Sequence, residues 1–266
     1  MLEDFRFKKS LGQNFISDIN FLNAMVSDAG VTKQDCVLEI GAGAGALTEA
    51  LAKVAVKVVS VEKDEELKDI LNARFEGNNK VKLIFGDFMK LDKATLEKDL
   101  TKPYKVVANL PYYITTPIIF KLIEEDFEAS SLTIMVQKEV ADRLRAKPGT
   151  KDYGSITAKI NLIANVEIVR AAPRSLFHPQ PNVDSSVVNI AFKQGKPKNR
   201  EIFNRVVNCA FQERRKMFVS NLMREFKLSR QACIEVLQKC GVDTNVRGEV
   251  LDATEFAKIA EIIKKL

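Results

Sequence analysis

The sequence predicts an α/β domain built on a mostly parallel sheet, followed by a small domain made only of helices. Between residues 36 and 136, short apolar strands alternate with amphipathic helices, which is typical of a parallel sheet covered on both faces. Near residue 160 two strands follow one another without a long helix between them, which favours an antiparallel hairpin at the sheet edge. From Glu201 onward, the apolar residues recur only with helical spacing.

The first domain is predicted to contain seven strands and several helices. Ser17 and Asp18 are suited to cap a first helix, and Gly30 is suited to end it. Two further helices are predicted at Leu47–Lys53 and Glu65–Phe75. The strands are predicted at Val37–Ile40, Val56–Val61, Val81–Phe85, Val106–Ala108, Leu132–Val136, Ile160–Arg170 and Val187–Phe192.

A polar segment divides the chain. Residues 193–200 are polar and contain glycine and proline, so we place one domain at residues 1–192 and a helical domain at residues 201–266. In the second domain, Thr254 is suited to cap the last helix.

Composition excludes several classes of protein. The chain has 266 residues, of which 46% are hydrophobic and 29% charged, and no apolar run is long enough to span a bilayer. The first residues resemble no signal peptide and the four cysteines form no CxxC pair, so we expect a cytoplasmic protein with reduced thiols. The single histidine, His178, argues against histidine metal centres and serine–histidine hydrolases, and we expect no metal.

A glycine-rich turn and two acidic residues predict a nucleotide site. Gly41 and Gly43 lie in the turn Gly41–Ala46, where glycine lets the backbone approach a ligand at the start of a helix. Glu62 ends the next strand, where a carboxylate accepts ribose hydroxyls. Asp87 ends the third strand and is placed to accept an adenine amino group. This pattern suits an adenosine cofactor, and S-adenosylmethionine and NAD are both open at this point.

The fourth strand leads into the sequence Asn109-Leu110-Pro111-Tyr112, which indicates the chemistry. The exocyclic amine of adenine is a poor nucleophile because its lone pair is delocalised into the ring. The Asn109 side-chain oxygen and the Leu110 carbonyl are suited to accept its two N–H groups and so orient the lone pair. Pro111 fixes the backbone, and Tyr112 is suited to stack on the target base. An NAD-dependent oxidoreductase, which transfers hydride, would have no role for this motif, so we set that class of enzyme aside.

Three motifs resemble those of the ribosomal RNA adenine dimethyltransferases. They are Leu11–Ile16, Asn109–Pro117 and Phe177–Ser185. The resemblance covers essentially the whole chain and implies a Rossmann-like class I methyltransferase fold with S-adenosylmethionine as methyl donor. It also implies dimethylation of the N6 amines of two adjacent adenosines near the 3′ end of 16S rRNA, late in assembly of the small ribosomal subunit. The motifs are typical of this branch rather than of the large-subunit enzymes that confer macrolide resistance.

The resemblance assigns roles by position. The implied cofactor contacts are Gln13, Asn14, Ile16, Gly41, Glu62, Asp87 and Asn109. The implied catalytic set is Asn109, Leu110 through its carbonyl, Pro111 and Tyr112, with Phe177 as a second aromatic side chain against the target base. One position departs from the family, which often has proline after the first glycine, where this chain has Ala42.

The charge distribution suggests where RNA binds. Residues 193–266 hold 16 Lys and Arg against 9 Asp and Glu, a net charge of +7, whereas residues 1–192 hold 25 against 26, a net charge of −1. A basic segment favours a polyanionic partner such as RNA, although solvated helix surfaces also carry such charges. The candidate contacts are Lys8, Lys9, Arg143, Arg145, Lys147 and, on the first helix of the tail, Arg214, Arg215 and Lys216.

Two further expectations complete the analysis. Without an apolar stripe suited to self-association, we expect a monomer. A non-catalytic RNA-binding or assembly factor that keeps the fold is the alternative to an enzyme. Intact Asn109, Tyr112, Glu62 and Asp87 argue against it.

Overall fold

A computed structural model describes residues 15–193 and 199–266. Two of the candidate cofactor contacts, Gln13 and Asn14, and two candidate RNA contacts, Lys8 and Lys9, lie outside the described residues.

The described residues form nine strands, seven of them in one sheet. They are β1 (Phe15–Ile16), β2 (Cys36–Ile40), β3 (Lys57–Glu62), β4 (Val81–Phe85), β5 (Tyr104–Asn109), β6 (Ala129–Gln137), β7 (Ala164–Ala172), β8 (Phe177–His178) and β9 (Ser185–Phe192). The order in the sheet is β4-β3-β2-β5-β6-β9-β7, and β1 pairs with β8 apart from it. Strands β4, β3, β2, β5 and β6 run parallel to one another, whereas β9 pairs antiparallel with β6. The predicted sheet, parallel with an antiparallel addition at one side, is confirmed.

Helices connect the strands. They are α1 (Ile19–Asp28), α2 (Ala46–Val54), α3 (Lys68–Arg74), α4 (Lys93–Glu97), α5 (Thr115–Glu124), α6 (Lys138–Leu144) and α7 (Ser155–Ile163). Asp18 caps α1 as predicted, since its carboxylate accepts the backbone N–H groups of Asn20 and Phe21 at 2.9 and 3.1 Å. Leu22 of α1 and Leu51 of α2 are buried in one apolar cluster with Val37 and Val107 of the sheet.

The strand predicted to begin at Ile160 is wrong in its first part. Residues Ser155–Ile163 form α7, and β7 begins only at Ala164. The β-branched residues of this segment favour a strand locally. Ala158 is nevertheless fully buried in an apolar cluster formed by helices, and this packing outweighs the local preference.

The chain divides into two compact units. Of the described residues, the first comprises 15–141 and Glu167–Phe192, and the second comprises Asp142–Val166, Lys193 and 199–266. Residues 142–166, which the sequence analysis assigned to the first domain, therefore group with the helical unit.

The second unit is built mainly from four further helices. They are α8 (Arg200–Gln212), α9 (Phe218–Phe226), α10 (Arg230–Lys239) and α11 (Ala253–Ile263). Phe203, Phe218 and Phe256 are buried in its core. The predicted cap of α11 is wrong, because Asp252 rather than Thr254 caps it. The Asp252 carboxylate accepts the backbone N–H of Glu255, and the Glu255 side chain accepts that of Asp252.

We predict that Gly248→Ala destabilises the second unit. A Cβ at Gly248 would lie 2.5 Å from the Ala210 Cβ of α8 and 3.1 Å from the Ala210 carbonyl oxygen, so the backbone must shift. The expected loss is about 1–3 kcal/mol of unfolding free energy in urea titrations. Gly154→Ala is the matched control, because a Cβ there meets no atom within 4 Å. Equal stability of Gly248→Ala and the wild type would contradict this packing.

Candidate active site

A cavity of about 310 Å³ opens at the carboxyl ends of β2, β3, β4 and β5. The parallel register places these ends together, since Ile40 lies opposite Val61 and Glu62 lies opposite Phe85. Ligands in open parallel sheets bind at this edge. Ten of the predicted site residues line the cavity: Ile16, Gly41, Gly43, Glu62, Asp87, Asn109, Leu110, Pro111, Tyr112 and Phe177.

The glycine turn forms one wall of the cavity. Gly41 has φ +83° and Gly43 has φ +54°, a region of backbone conformation that glycine adopts without strain. The Gly41 N–H donates to the Val61 carbonyl at 2.8 Å, which ties the turn to β3. The Gly43 N–H donates to Glu62 Oε2 at 2.7 Å. The turn and the acidic residue predicted to bind ribose therefore hold each other in place.

Glu62 is buried at the end of β3. Its second oxygen, Oε1, accepts the Asp64 N–H at 2.7 Å. Burial raises the pKa of Glu62 above its ordinary value, and the hydrogen bonds from Asp64 and Gly43 partly oppose this. A carboxylate oxygen has two acceptor positions, so both oxygens retain capacity for hydroxyl groups of a ligand.

Asp87 follows β4 and is more exposed. Burial alone would raise the pKa of Asp87, but hydrogen bonds from the Lys63 side chain and the Met89 N–H, with the Lys63 charge, lower it. Lys63 Nζ lies 3.0 Å from Oδ2, and the Met89 N–H donates to Oδ1 at 3.0 Å. Asp87 is therefore ionised near neutral pH and is available as an acceptor. Lys63 also lines the cavity, and the sequence analysis did not select it.

The motif at the end of β5 turns sharply after Leu110. Asn109 ends the strand, and Leu110 is buried. Pro111 has φ −56° and ψ 134°, and its carbonyl accepts the Ile114 N–H at 3.1 Å to form a 3₁₀ turn. The Tyr112 hydroxyl lies 2.8 Å from Ser185 Oγ, and burial raises the pKa of this phenol, so Tyr112 is neutral near pH 7.

The short β1–β8 ladder also lines the cavity. Ile16 lies opposite Phe177, and both side chains are buried and line the cavity. Phe15 lies opposite His178, which is exposed.

Sequence reasoning did not select Glu39, a carboxylate beneath the glycine turn. Glu39 lies in β2 and is fully buried; its Oε2 accepts the hydroxyls of Thr48 and Ser60, each at 2.6 Å. Among the described residues, its Oε1 has no hydrogen-bond partner. Burial raises the pKa of Glu39 to about 7, with a smaller contribution from Glu62. The signal for it was a charged residue inside an apolar strand, two residues before the glycine turn.

Arg214 contacts the segment that follows the other basic cluster. Arg214, Arg215 and Lys216 lie in the turn between α8 and α9, so their predicted placement on a helix is wrong. Arg214 Nε donates to Glu249 Oε2 at 2.8 Å, and Arg214 Nη1 donates to the Lys151 carbonyl at 3.2 Å. This arginine thus joins the turn to the segment that follows Arg143, Arg145 and Lys147. Lys216 pairs with Glu213 at 2.6 Å.

The described ranges also bear on metals and membranes. Within them, no group of three or more His, Cys, Asp or Glu side chains is placed to hold a metal ion. None of the helices described is both long enough and apolar enough to cross a bilayer.

Comparison with known proteins places the chain among rRNA methyltransferases. Residues 4–265 match the ribosomal RNA adenine dimethylase family. A Listeria welshimeri protein named ribosomal RNA small subunit methyltransferase A is 43% identical over 97% of this chain and 91% of its own length. A Clostridioides difficile protein of the same name is 41% identical over 98% of this chain and 92% of its own length.

Two solved structures share the fold. A dimethyladenosine transferase from Plasmodium falciparum superposes with a TM-score of 0.82 and 26% identity over 94% of this chain and 98% of that one. The 23S rRNA methyltransferase ErmE superposes with a TM-score of 0.71 and 24% identity over 94% of this chain and all of that one. At 24% identity, the similarity to ErmE shows only that the two chains share a fold.

We predict that Glu39 makes stability pH-dependent. Its folded-state pKa of about 7 exceeds the ordinary 4.5, so its protonated form stabilises the fold fully below pH 4.5, and this contribution is lost as the pH rises through 7. Glu39→Gln cannot titrate. Between pH 4.5 and 7.5, the wild type should lose on the order of 3 kcal/mol of unfolding free energy that this variant keeps.

Urea unfolding at several pH values measures this difference. Glu124→Gln, at an exposed position of α5, is the control and should follow the wild-type profile. Parallel profiles for Glu39→Gln and the wild type would show that the pKa of Glu39 is the same in the folded and unfolded states.

Proposed function

Because the chain belongs to the ribosomal RNA adenine dimethylase family, we propose that it dimethylates two adjacent adenosines near the 3′ end of 16S rRNA in the small ribosomal subunit. The chain is an rRNA adenine dimethyltransferase of the class I methyltransferase fold. The observation that carries the proposal is that Asn109, Tyr112 and the glycine turn face a single cavity. The relatives at 41–43% identity are named for the small subunit, which supports this target.

The cavity fits S-adenosylmethionine, the cofactor of this methyltransferase family. Its volume of about 310 Å³ lies at the lower end of the range of small-molecule sites. We propose that Glu62 accepts the ribose hydroxyls and that Asp87 accepts the adenine amino group. The backbone at Gly41 and Gly43 leaves room for close approach, since no side chain projects from it. Ile16 supplies an apolar surface beside them.

The catalytic step depends on how the chain orients the target amine. When bound, S-adenosylmethionine supplies an electrophilic methyl group. We propose that the Asn109 side-chain oxygen and the Leu110 carbonyl oxygen each accept one N–H of the adenine N6 amine. This draws the nitrogen lone pair out of conjugation with the ring and fixes its direction. The monomethylated amine retains one N–H, so one acceptor suffices to orient it for the second transfer.

The target base requires a place outside the RNA stack. Tyr112 and Phe177 line the same cavity and present aromatic surface to it. Stacking on such side chains compensates a base for the stacking that it loses when it leaves its RNA neighbours. We propose that these two side chains hold the adenine ring while Asn109 and Leu110 hold its amine.

The basic residues of the second unit are proposed to bind RNA phosphates. Arg143, Arg145 and Lys147 are exposed at the end of α6 and in the segment that follows, and Arg215 is exposed in the turn after α8. Arg214 connects these segments, so we assign it a structural role as well. We further propose that the enzyme acts late in assembly, in the cytoplasm, as a monomer.

We predict that Asn109→Ala abolishes measurable methyl transfer, with a loss of at least roughly 10²–10³-fold in kcat. Binding to the small subunit should stay within about twofold of the wild type, because RNA affinity resides mainly in phosphate contacts. Labelled S-adenosylmethionine reports the rate and filter binding reports the affinity. Asn72→Ala, at an exposed position of α3, is the control. Near-wild-type activity of Asn109→Ala would refute the orientation mechanism.

We predict that replacing Arg145, Lys147 and Arg215 together by alanine weakens binding to the small subunit and flattens its salt dependence. The slope of log K against log salt should fall in magnitude by roughly 2–3, about 0.7–0.9 for each phosphate contact removed. Lys239→Ala, at the exposed end of α10, should leave the slope unchanged. An unchanged slope in the triple variant would place the RNA contacts elsewhere.

Methyl transfer to isolated ribosomal subunits tests the proposed function directly. The substrate is small subunits that lack their terminal dimethyladenosines, with large subunits as the control and labelled S-adenosylmethionine as donor. Up to four methyl groups per small subunit, and none on the large one, are expected. Label on the large subunit would overturn the proposed target. No label on either subunit, with cofactor still bound, would favour a non-catalytic RNA-binding factor.

A further inference from the structure

Two of the five aromatic side chains that line the cavity, Tyr112 and Phe177, lie in segments that are hydrogen-bonded to the adjacent residues Ser185 and Asp184. Ser185 is the first residue of β9 and is 2% exposed. Its Oγ lies 2.8 Å from the Tyr112 hydroxyl, although the two residues are 73 positions apart in the chain. Ser185 also lies opposite Gln137 in the antiparallel β6–β9 ladder, which fixes its backbone.

Asp184 anchors the segment that carries the other ring. Its Oδ1 accepts the Arg174 N–H at 2.9 Å, and its carbonyl accepts the Lys138 N–H at 3.0 Å. Arg174 opens the 3₁₀ turn Arg174–Leu176, which leads directly into Phe177. One dipeptide at the start of β9 therefore contacts both the Tyr112 side chain and the turn that precedes Phe177.

We propose that Ser185 is a positioning residue for methyl transfer that fixes the ring of Tyr112. Asp184 fixes the segment that leads to Phe177, through its hydrogen bond from the Arg174 N–H. This inference rests on the proposed function, because the base that the rings enclose is the target adenine. A phenol without a partner retains rotation about two side-chain torsions, whereas a hydrogen bond to a residue in the sheet restricts it. Small displacements of a positioning group reduce rates even when binding is unchanged.

The experiment compares Ser185→Ala, Tyr112→Phe and their double variant with Ser186→Ala as the matched control. Ser186 is the next residue of β9 and is also buried, so this control removes a hydroxyl from the same strand. We expect Ser185→Ala to lower kcat by roughly tenfold, the scale of one lost hydrogen bond, with the KM for S-adenosylmethionine unchanged. Ser186→Ala should keep the wild-type kcat.

A double-mutant cycle separates positioning from a general loss of structure. In the Tyr112→Phe background, the hydroxyl of Ser185 has no partner, so Ser185→Ala should cost less than twofold. Ser185→Thr, which keeps the hydroxyl, should restore most of the rate. Equal losses from Ser185→Ala in both backgrounds would overturn the proposal, as would wild-type kcat in Ser185→Ala.

A spectroscopic readout distinguishes failure of this inference from failure of the proposed function. The chain has four tyrosines, so 3-fluorotyrosine labelling gives four ¹⁹F resonances, which single Tyr→Phe variants assign. Ser185→Ala should shift the Tyr112 resonance, and Ser186→Ala should leave it in place. If the wild type fails to methylate small subunits, the proposed function falls. The spectrum then still decides whether Ser185 holds Tyr112, and an unmoved resonance would refute that contact.

Discussion

The parallel pairing of β2 with β3 on one side and with β5 on the other is the constraint on which the site depends. Parallel strands present their carboxyl ends at one edge, so residues that are distant in the chain converge there without a dedicated scaffold. Gly41, Glu62 and Asn109 follow or end these three strands and line one cavity. A shift of register in either pairing would separate the cofactor side from the catalytic turn.

Buried polar groups hold the backbone in place at this edge of the sheet. Glu39 links β2 to Thr48 of α2 and to Ser60 of β3, beneath the turn, and Glu62 accepts the Gly43 N–H above it. Glu62 thus braces the glycine turn directly, and Glu39 ties the strand that precedes the turn to α2 and β3. The cost is desolvation, which raises the pKa of both glutamates. The benefit is a backbone held in place before a ligand arrives, which lowers the entropy lost on binding.

The chemistry that this site supports requires orientation more than proton transfer. The exocyclic amine of adenine needs acceptors for its N–H groups and a fixed ring, and we propose that the turn after β5 and the Tyr112–Ser185 hydrogen bond supply these features. We propose that RNA is recognised largely by the second unit, where exposed cations outnumber the carboxylates that could neutralise them. Catalysis and RNA affinity are therefore proposed to be separable by mutation.

Local patterns in the sequence determined much of this protein. Mostly apolar runs of three to six residues predicted strands β2 to β5. The glycine turn and Asn109–Tyr112 indicated the site, because each depends on residues adjacent in the chain. The same patterns failed for residues 155–163, where packing of Ala158 among helices outweighs β propensity. They also failed for Arg214, whose partners Glu249 and Lys151 lie 35 and 63 residues away. Ser185 and Tyr112 likewise meet only after β9 has joined the sheet beside β6. Such contacts join residues that are distant in the chain, and patterns of neighbouring residues do not encode them. They depend on the chain topology, so only the tertiary structure decided them.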